Sequence, residues 1–96
     1  MSCYFIAQIT IHDPETYQKY LDGFDEIFEN YQGKVIMVDD KPSILEGEWN
    51  CTRIVMIRFP DEAEARRWYE SAEYQQLVRY RWQASDANVI LATGRE

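Results

Sequence analysis

Cys3-Tyr4-Phe5-Ile6-Ala7-Gln8-Ile9-Thr10-Ile11, followed at once by His12-Asp13-Pro14-Glu15, is the stretch that decides the fold. Phe5, Ala7, Ile9 and Ile11 fall on one side of an extended chain, and Tyr4, Ile6, Gln8 and Thr10 on the other. That period of two predicts a strand over residues 3–11. Asp13 then supplies a helix N-cap, Pro14 a first helical residue with its backbone angle already set, and Glu15 an acid in the first turn. Tyr17, Tyr20, Leu21, Phe24, Ile27, Phe28 and Tyr31 recur at spacings of three and four, which predicts an amphipathic helix ending near Gly33.

The same alternation of signals continues outward. Val35 to Val38 predict a second strand, interrupted by Asp39-Asp40-Lys41-Pro42. Ser43 to Glu48 are expected to continue it after a turn or bulge, since Pro42 cannot donate to a ladder. Gly47 and Asn50 bracket a turn, and Thr52 to Phe59 are a strand rich in β-branched residues. Pro60-Asp61-Glu62 start a helix that continues through Ala63, Ala65, Trp68 and Tyr69. Ser71 caps a further helical segment, about 72–83, with Tyr74, Leu77, Val78 and Arg81 along one side. Residues 88–93 predict the last strand. The order β-α-β-β-α-β defines an α+β, ferredoxin-like unit over residues 1–96, with the helices on one face of an antiparallel-dominated sheet. Its first and third strands are expected side by side and parallel in the centre, with the second and fourth at the edges.

Composition removes several function classes. The 96 residues carry ten Lys and Arg against seventeen Asp and Glu, a formal net charge of −7. Such a surface repels phosphate backbones, so nucleic acid and anionic membranes are excluded as partners. One His and two Cys cannot supply the four ligands of a structural zinc site, and no Asp-rich calcium loop is present; no metal and no cofactor are expected. The N-terminus shows no basic segment followed by an apolar one, and no apolar run approaches a membrane span. A cytoplasmic location follows as the expectation, with Cys3 and Cys51 as free thiols. Starting adjacent strands in the expected parallel arrangement, those cysteines have the opportunity to lie close together.

The sheet face away from the helices should be polar if it met water. Instead Tyr4, Ile6, Ile54 and Met56 lie on it, and the last strand is apolar on both sides. An apolar face of this kind on a small chain points to an interface. The expected arrangement is a homodimer in which two such faces pack together or share one barrel.

His12-Asp13-Pro14 opening a helix, Tyr17-x-x-Tyr20, Gly33 before a strand, Glu46-Gly47-x-Trp49, Arg53, Phe59-Pro60 and Trp68-Tyr69-x-Ser71-x-x-Tyr74 form a pattern spread over nearly the whole chain. With it the chain resembles the domain-of-unknown-function family 1330, small bacterial proteins similar to the dimeric α+β barrel superfamily. The resemblance implies a ferredoxin-like protomer and a dimeric barrel. It implies no reaction, although related superfamilies include cofactor-free monooxygenases, haem-degrading enzymes and muconolactone isomerases.

The candidate site residues are few. Histidine is the side-chain type suited to proton transfer near neutral pH, so His12, the one histidine, is the candidate catalytic acid or base, with Tyr17, Tyr20 or Asp13 as orienting neighbours; the alternative is a local bond supporting the turn. Arg58 shares the open sheet face with Gln8 and Thr10 if Tyr4 lies near Thr52 and Thr10 near Arg58. It is then either half of an ion pair across a dimer two-fold or an anion-binding group. Trp49 reads as a partner-facing anchor or as core over the second helix, and Glu46 with Arg53 as a cross-hairpin pair. Tyr17, Tyr20, Trp68, Tyr69 and Tyr74 line an aromatic pocket or simply form core. No phosphate loop or nucleophile elbow is present. Three functions remain open: a small-molecule-binding homodimer, a cofactor-free monooxygenase- or isomerase-like enzyme acting on an aromatic or lactone-like substrate, and a structural or interaction protein.

Overall fold

Asp13 ends the first strand and starts the first helix with one side chain. Its carboxylate accepts from the Thr16 backbone N–H at 3.2 Å and from the Thr16 hydroxyl at 2.7 Å, while Pro14 takes the first helical position. Both bonds pull the Asp13 carboxyl below its ordinary pKa. Asp61 and Ser71 repeat the device, accepting from the Glu64 and Tyr74 backbone N–H groups. The computed structural model describes residues 1–95. Its elements are β1 (Cys3–Ile11), α1 (Pro14–Phe28), β2 (Lys34–Asp39), β3 (Arg53–Phe59), α2 (Glu62–Tyr69), α3 (Ala72–Ala84) and β4 (Ser85–Thr93). This is the ferredoxin-like β-α-β-β-α-β order, with its second helical region split in two.

The sheet order is β2-β3-β1-β4. The second and fourth strands lie at the edges, as the sequence predicts, but β1 and β3 pair antiparallel. The parallel expectation misplaced the crossover. Each helical connection returns the chain parallel two positions away, and the strand inserted between runs the other way. Tyr4 therefore pairs with Arg58, and Gln8 with Ile54, while Thr52 sits by Ile9 and Ile11. Antiparallel pairing also puts Cys3 opposite Phe59, whereas Cys51 sits at the other end of the β1–β3 pair, just before the strand end facing Ile9; the two thiols are not neighbours, and both are free.

Two further boundaries differ. Residues 43–48 form no strand; β2 stops at Asp39 and a long irregular connection follows, turning at Gly47, whose φ of 77° lies in the left-handed region that glycine occupies without strain. β4 begins at Ser85 rather than at 88, because the chain leaves α3 directly into extended backbone and pairs Ser85 with Ile11 and Asp86 with Thr10. Those polar residues carry no strand signal of their own.

Register sorts the sheet into rows. On the helix side Val35–Ile57–Phe5–Leu91 and Val38–Val55–Ala7–Val89 cross all four strands. On the open side the central row is Met37–Met56–Ile6–Ile90, flanked by Asp39–Ile54–Gln8–Asn88 and Lys34–Arg58–Tyr4–Ala92. The core lies under the helices, where Trp68 is fully buried against Phe5, Phe59 and Tyr74 with ring centroids 5.2, 5.5 and 4.3 Å away.

Candidate functional site

The helix-side core is incompletely filled. Between α1, α3 and the β2–β3–β1 part of the sheet lies a cavity of about 190 Å³, walled mainly by Phe5, Ala7, Ile9, Val55 and Ile57 below and by Tyr17, Tyr20 and Phe24 above. Leu21 and Asp25 of α1 and Val35 and Val38 of β2, all exposed, mark its mouth. The cavity is apolar except for two arginines, two phenols and Asp25.

Arg53 reaches the wall from the start of β3. Its guanidinium donates to both oxygens of Asp40, at 2.6 and 3.0 Å, and lies 5.4 Å from the Tyr17 ring centroid. The bidentate contact raises the Arg53 pKa and lowers that of Asp40, so this cation is neutralised in place.

Arg81 comes from the last turn of α3 and is only 3% exposed. Helical spacing puts it on the buried side with Tyr74 and Val78. Its guanidinium sits 5.8 Å from the Tyr20 ring centroid and interacts with the Tyr74 hydroxyl. Burial works against the cation, but the Tyr74 and Tyr20 hydroxyls outweigh it and the pKa is raised. The two tyrosine hydroxyls share a buried hydrogen bond of 2.6 Å that ties α1 to α3. Burial pushes the Tyr20 pKa well up, and those of Tyr74 and Tyr17 up as well. Both members of the bonded pair are therefore neutral phenols at physiological pH, and neither balances Arg81 with a negative charge.

Tyr17 and Tyr20 thus lie at this cavity; the other sequence candidates do not. His12 is exposed at the start of α1, its backbone N–H donating to the Ala84 carbonyl at 2.9 Å, and it is absent from the cavity wall. Asp13 is occupied by Thr16 and does not orient it. Arg58 is on the open face, paired with Tyr4 at the far end from Thr10, so the neighbours expected from parallel pairing are not its neighbours; it is exposed in the single chain. Trp68 is core. Tyr69 is half-buried beside a shallower groove with Glu62 and Arg66. Trp49 sits in the 40–52 connection, its indole N–H buried without an acceptor, near Ile44, Leu45 and the open-face residues Met37 and Ile54. Glu46 does not pair with Arg53, whose partner is Asp40.

The sequence sets Arg81 along one side of its helix with Tyr74, Leu77 and Val78, but does not mark it as a site residue. The signal was the Tyr74–Val78–Arg81 spacing: a cation on an otherwise apolar stripe. Arg53 was visible only as half of a surface pair.

Residues 2–95 match the family described as Domain of unknown function (DUF1330). The chain belongs to this family. DUF1330 names no reaction, and comparison with curated proteins gave no match. Among solved structures, a protein of unknown function from Rhodopseudomonas palustris is similar at 18% identity with a TM-score of 0.77, over 99% of this chain and 83% of that one. SnoaB, a cofactor-independent oxygenase from Streptomyces nogalater, is similar at 16% identity and a TM-score of 0.68, over 99% and 94% of the two chains. A dimeric ferredoxin-like protein of unknown function from Thermobifida fusca is similar at 10% and 0.66, over 96% and 90%. At these identities the likeness establishes the ferredoxin-like fold of this DUF1330 chain and nothing finer. Among the described residues no helix is long and apolar enough to cross a membrane, and no cluster of three or more His, Cys, Asp or Glu is placed to hold a metal.

Proposed function

We propose that this protein is a homodimeric small-molecule-binding protein whose ligand occupies the cavity between α1, α3 and the sheet. The observation that carries the reading is an apolar cavity entered between α1 and β2 and lined by a buried arginine and tyrosines. Binding sites of this build are mostly apolar with a few converging polar groups. A volume of about 190 Å³ lies below the ~300–1,000 Å³ of drug-sized sites, so the ligand is compact, of the order of one or two fused rings.

The dimer rests on the open face. An apolar central row, Met37–Met56–Ile6–Ile90, flanked by mixed rows has the layout of an interface core with a polar rim. Ile90 is 57% exposed and Leu45 93% exposed in the single chain. The Thermobifida fusca neighbour is itself described as dimeric.

Binding is preferred to catalysis because the one histidine stands outside the cavity, leaving no side chain there that titrates near neutral pH unaided. An oxygenase reading would borrow from SnoaB, with which the chain shares a fold. Thermal-shift profiling against compact aromatic and alicyclic molecules tests the proposal. A ligand present at about 100 times its dissociation constant adds about 2.7 kcal/mol of stability. Loss of that shift on Ala7→Leu, which fills the cavity floor, is the expected result; a shift unchanged by that substitution contradicts it.

A further inference from the structure

Arg81 has a charge that nothing in the described structure balances. The other arginines held in ion pairs each meet a carboxylate: Arg53 meets Asp40, Arg66 meets Glu62 and Glu70, and Arg67 meets Glu64. Those partners stand at a partly exposed or exposed surface, where the need is smallest. Arg81 is more deeply buried than any of them, yet among the described residues no carboxylate is within ion-pair distance. A desolvated guanidinium without a counter-ion is costly. The Tyr74 hydroxyl, the face of the Tyr20 ring and the negative end of α3 offset that cost. None of them carries a negative charge or supplies the paired in-plane acceptors that the planar guanidinium fork is built to meet.

The unbalanced charge sits on the cavity wall, and apolar surface lies beside it. We infer, building on the small-molecule reading above, that the ligand is an organic carboxylate whose acid group is held by Arg81 and whose flat apolar body lies between Tyr20 and Phe24 above and Val55 and Ile57 below. Arg53 does not compete for the acid group, because Asp40 already occupies its fork. Asp25, the acidic residue on the wall, is exposed on α1 at the mouth, where it disfavours an acid group left at the entrance and favours one carried to the inner end.

The test is a matched pair of probes titrated calorimetrically into the full-length protein: 2-naphthoate and 2-naphthamide, alike in shape and different in charge. The inference predicts that naphthoate binds at least about tenfold more tightly than the amide, a charge-assisted pair in a dry site being worth more than a neutral one. It further predicts that Arg81→Met abolishes this preference while the amide still binds, and that Arg81→Lys keeps part of it. Because the comparison is first made on the unaltered protein, it stands even where a variant fails to fold. Equal binding of both probes overturns the carboxylate assignment and leaves the binding cavity standing. Binding of neither probe overturns both.

Discussion

The hydroxyl of Tyr20 on α1 lies 2.6 Å from that of Tyr74 on α3, and both residues are almost wholly buried. This is the polar link joining the two long helices beside the cavity. Removing either hydroxyl breaks this bond, and removing that of Tyr74 also takes an acceptor from Arg81, whereas in the double variant the shared bond is lost once rather than twice. Tyr20→Phe and Tyr74→Phe are each expected to cost about 1–3 kcal/mol, and the double variant clearly less than their sum. Urea denaturation of the four proteins measures the coupling directly.

The same pair sets a pH limit. Both phenols have pKa values raised by burial, so between their unfolded value, about 10, and their folded values the native state holds protons that the unfolded chain has lost. Their contribution is complete below about pH 10 and is lost as pH rises from there toward the folded values. The melting temperature is expected to fall more steeply above pH 10 than that of the Tyr20→Phe/Tyr74→Phe double variant, measured across pH 8–11.5.

Gly33 is held by rings rather than by an unusual backbone angle. A Cβ there would lie 2.5 Å from Cζ of Phe28 and 2.6 Å from Cε1 of Phe59, atoms of packed aromatic side chains. Gly33→Ala is therefore expected to destabilise the protein by about 1–3 kcal/mol, as overpacking does. Gly23→Ala is the informative contrast. It meets only the flexible Cδ1 of Leu77, at 2.6 Å, and gains helix propensity, so its cost is expected to be much smaller. Parallel thermal melts of the two variants decide the matter.

The open face predicts assembly. Met56→Lys places a charge in the middle of its apolar row, next to Ile6 and Met37. The proposed homodimer should become a monomer in sedimentation velocity, with little change in helix content. A wild-type chain that sediments as a monomer at tens of micromolar contradicts the assembly.

Much of this architecture is legible in local pattern. The alternation in residues 3–11 predicts β1 to the residue, and the helix starts at Asp13, Asp61 and Ser71 are visible because one polar side chain caps each. The direction of β3 against β1 is not legible in that way. Periodicity reports which side chains share a face, and both directions give Tyr4, Ile6, Ile54 and Met56 the same face. Only the crossover geometry separates them. That single reversal relocates Arg58, Thr52 and Cys51, and with them the site residues inferred from neighbours along the sheet. Tyr17 and Tyr20 keep their place at the cavity because helical spacing alone turns them inward. Arg81 was hidden for the opposite reason: its spacing is that of core, and only its charge marks it.

The central claim is that the cavity between α1, α3 and the sheet receives a small molecule. Methyl-resolved NMR of the protein titrated with a set of compact aromatic acids and neutral aromatics tests it most directly. The prediction is that bound members shift the methyl signals of Ala7, Leu21, Val35, Val38 and Val55, which surround the cavity. Shifts confined to Ile6, Met37, Met56 and Ile90 on the open face, or no shifts at all, would contradict it.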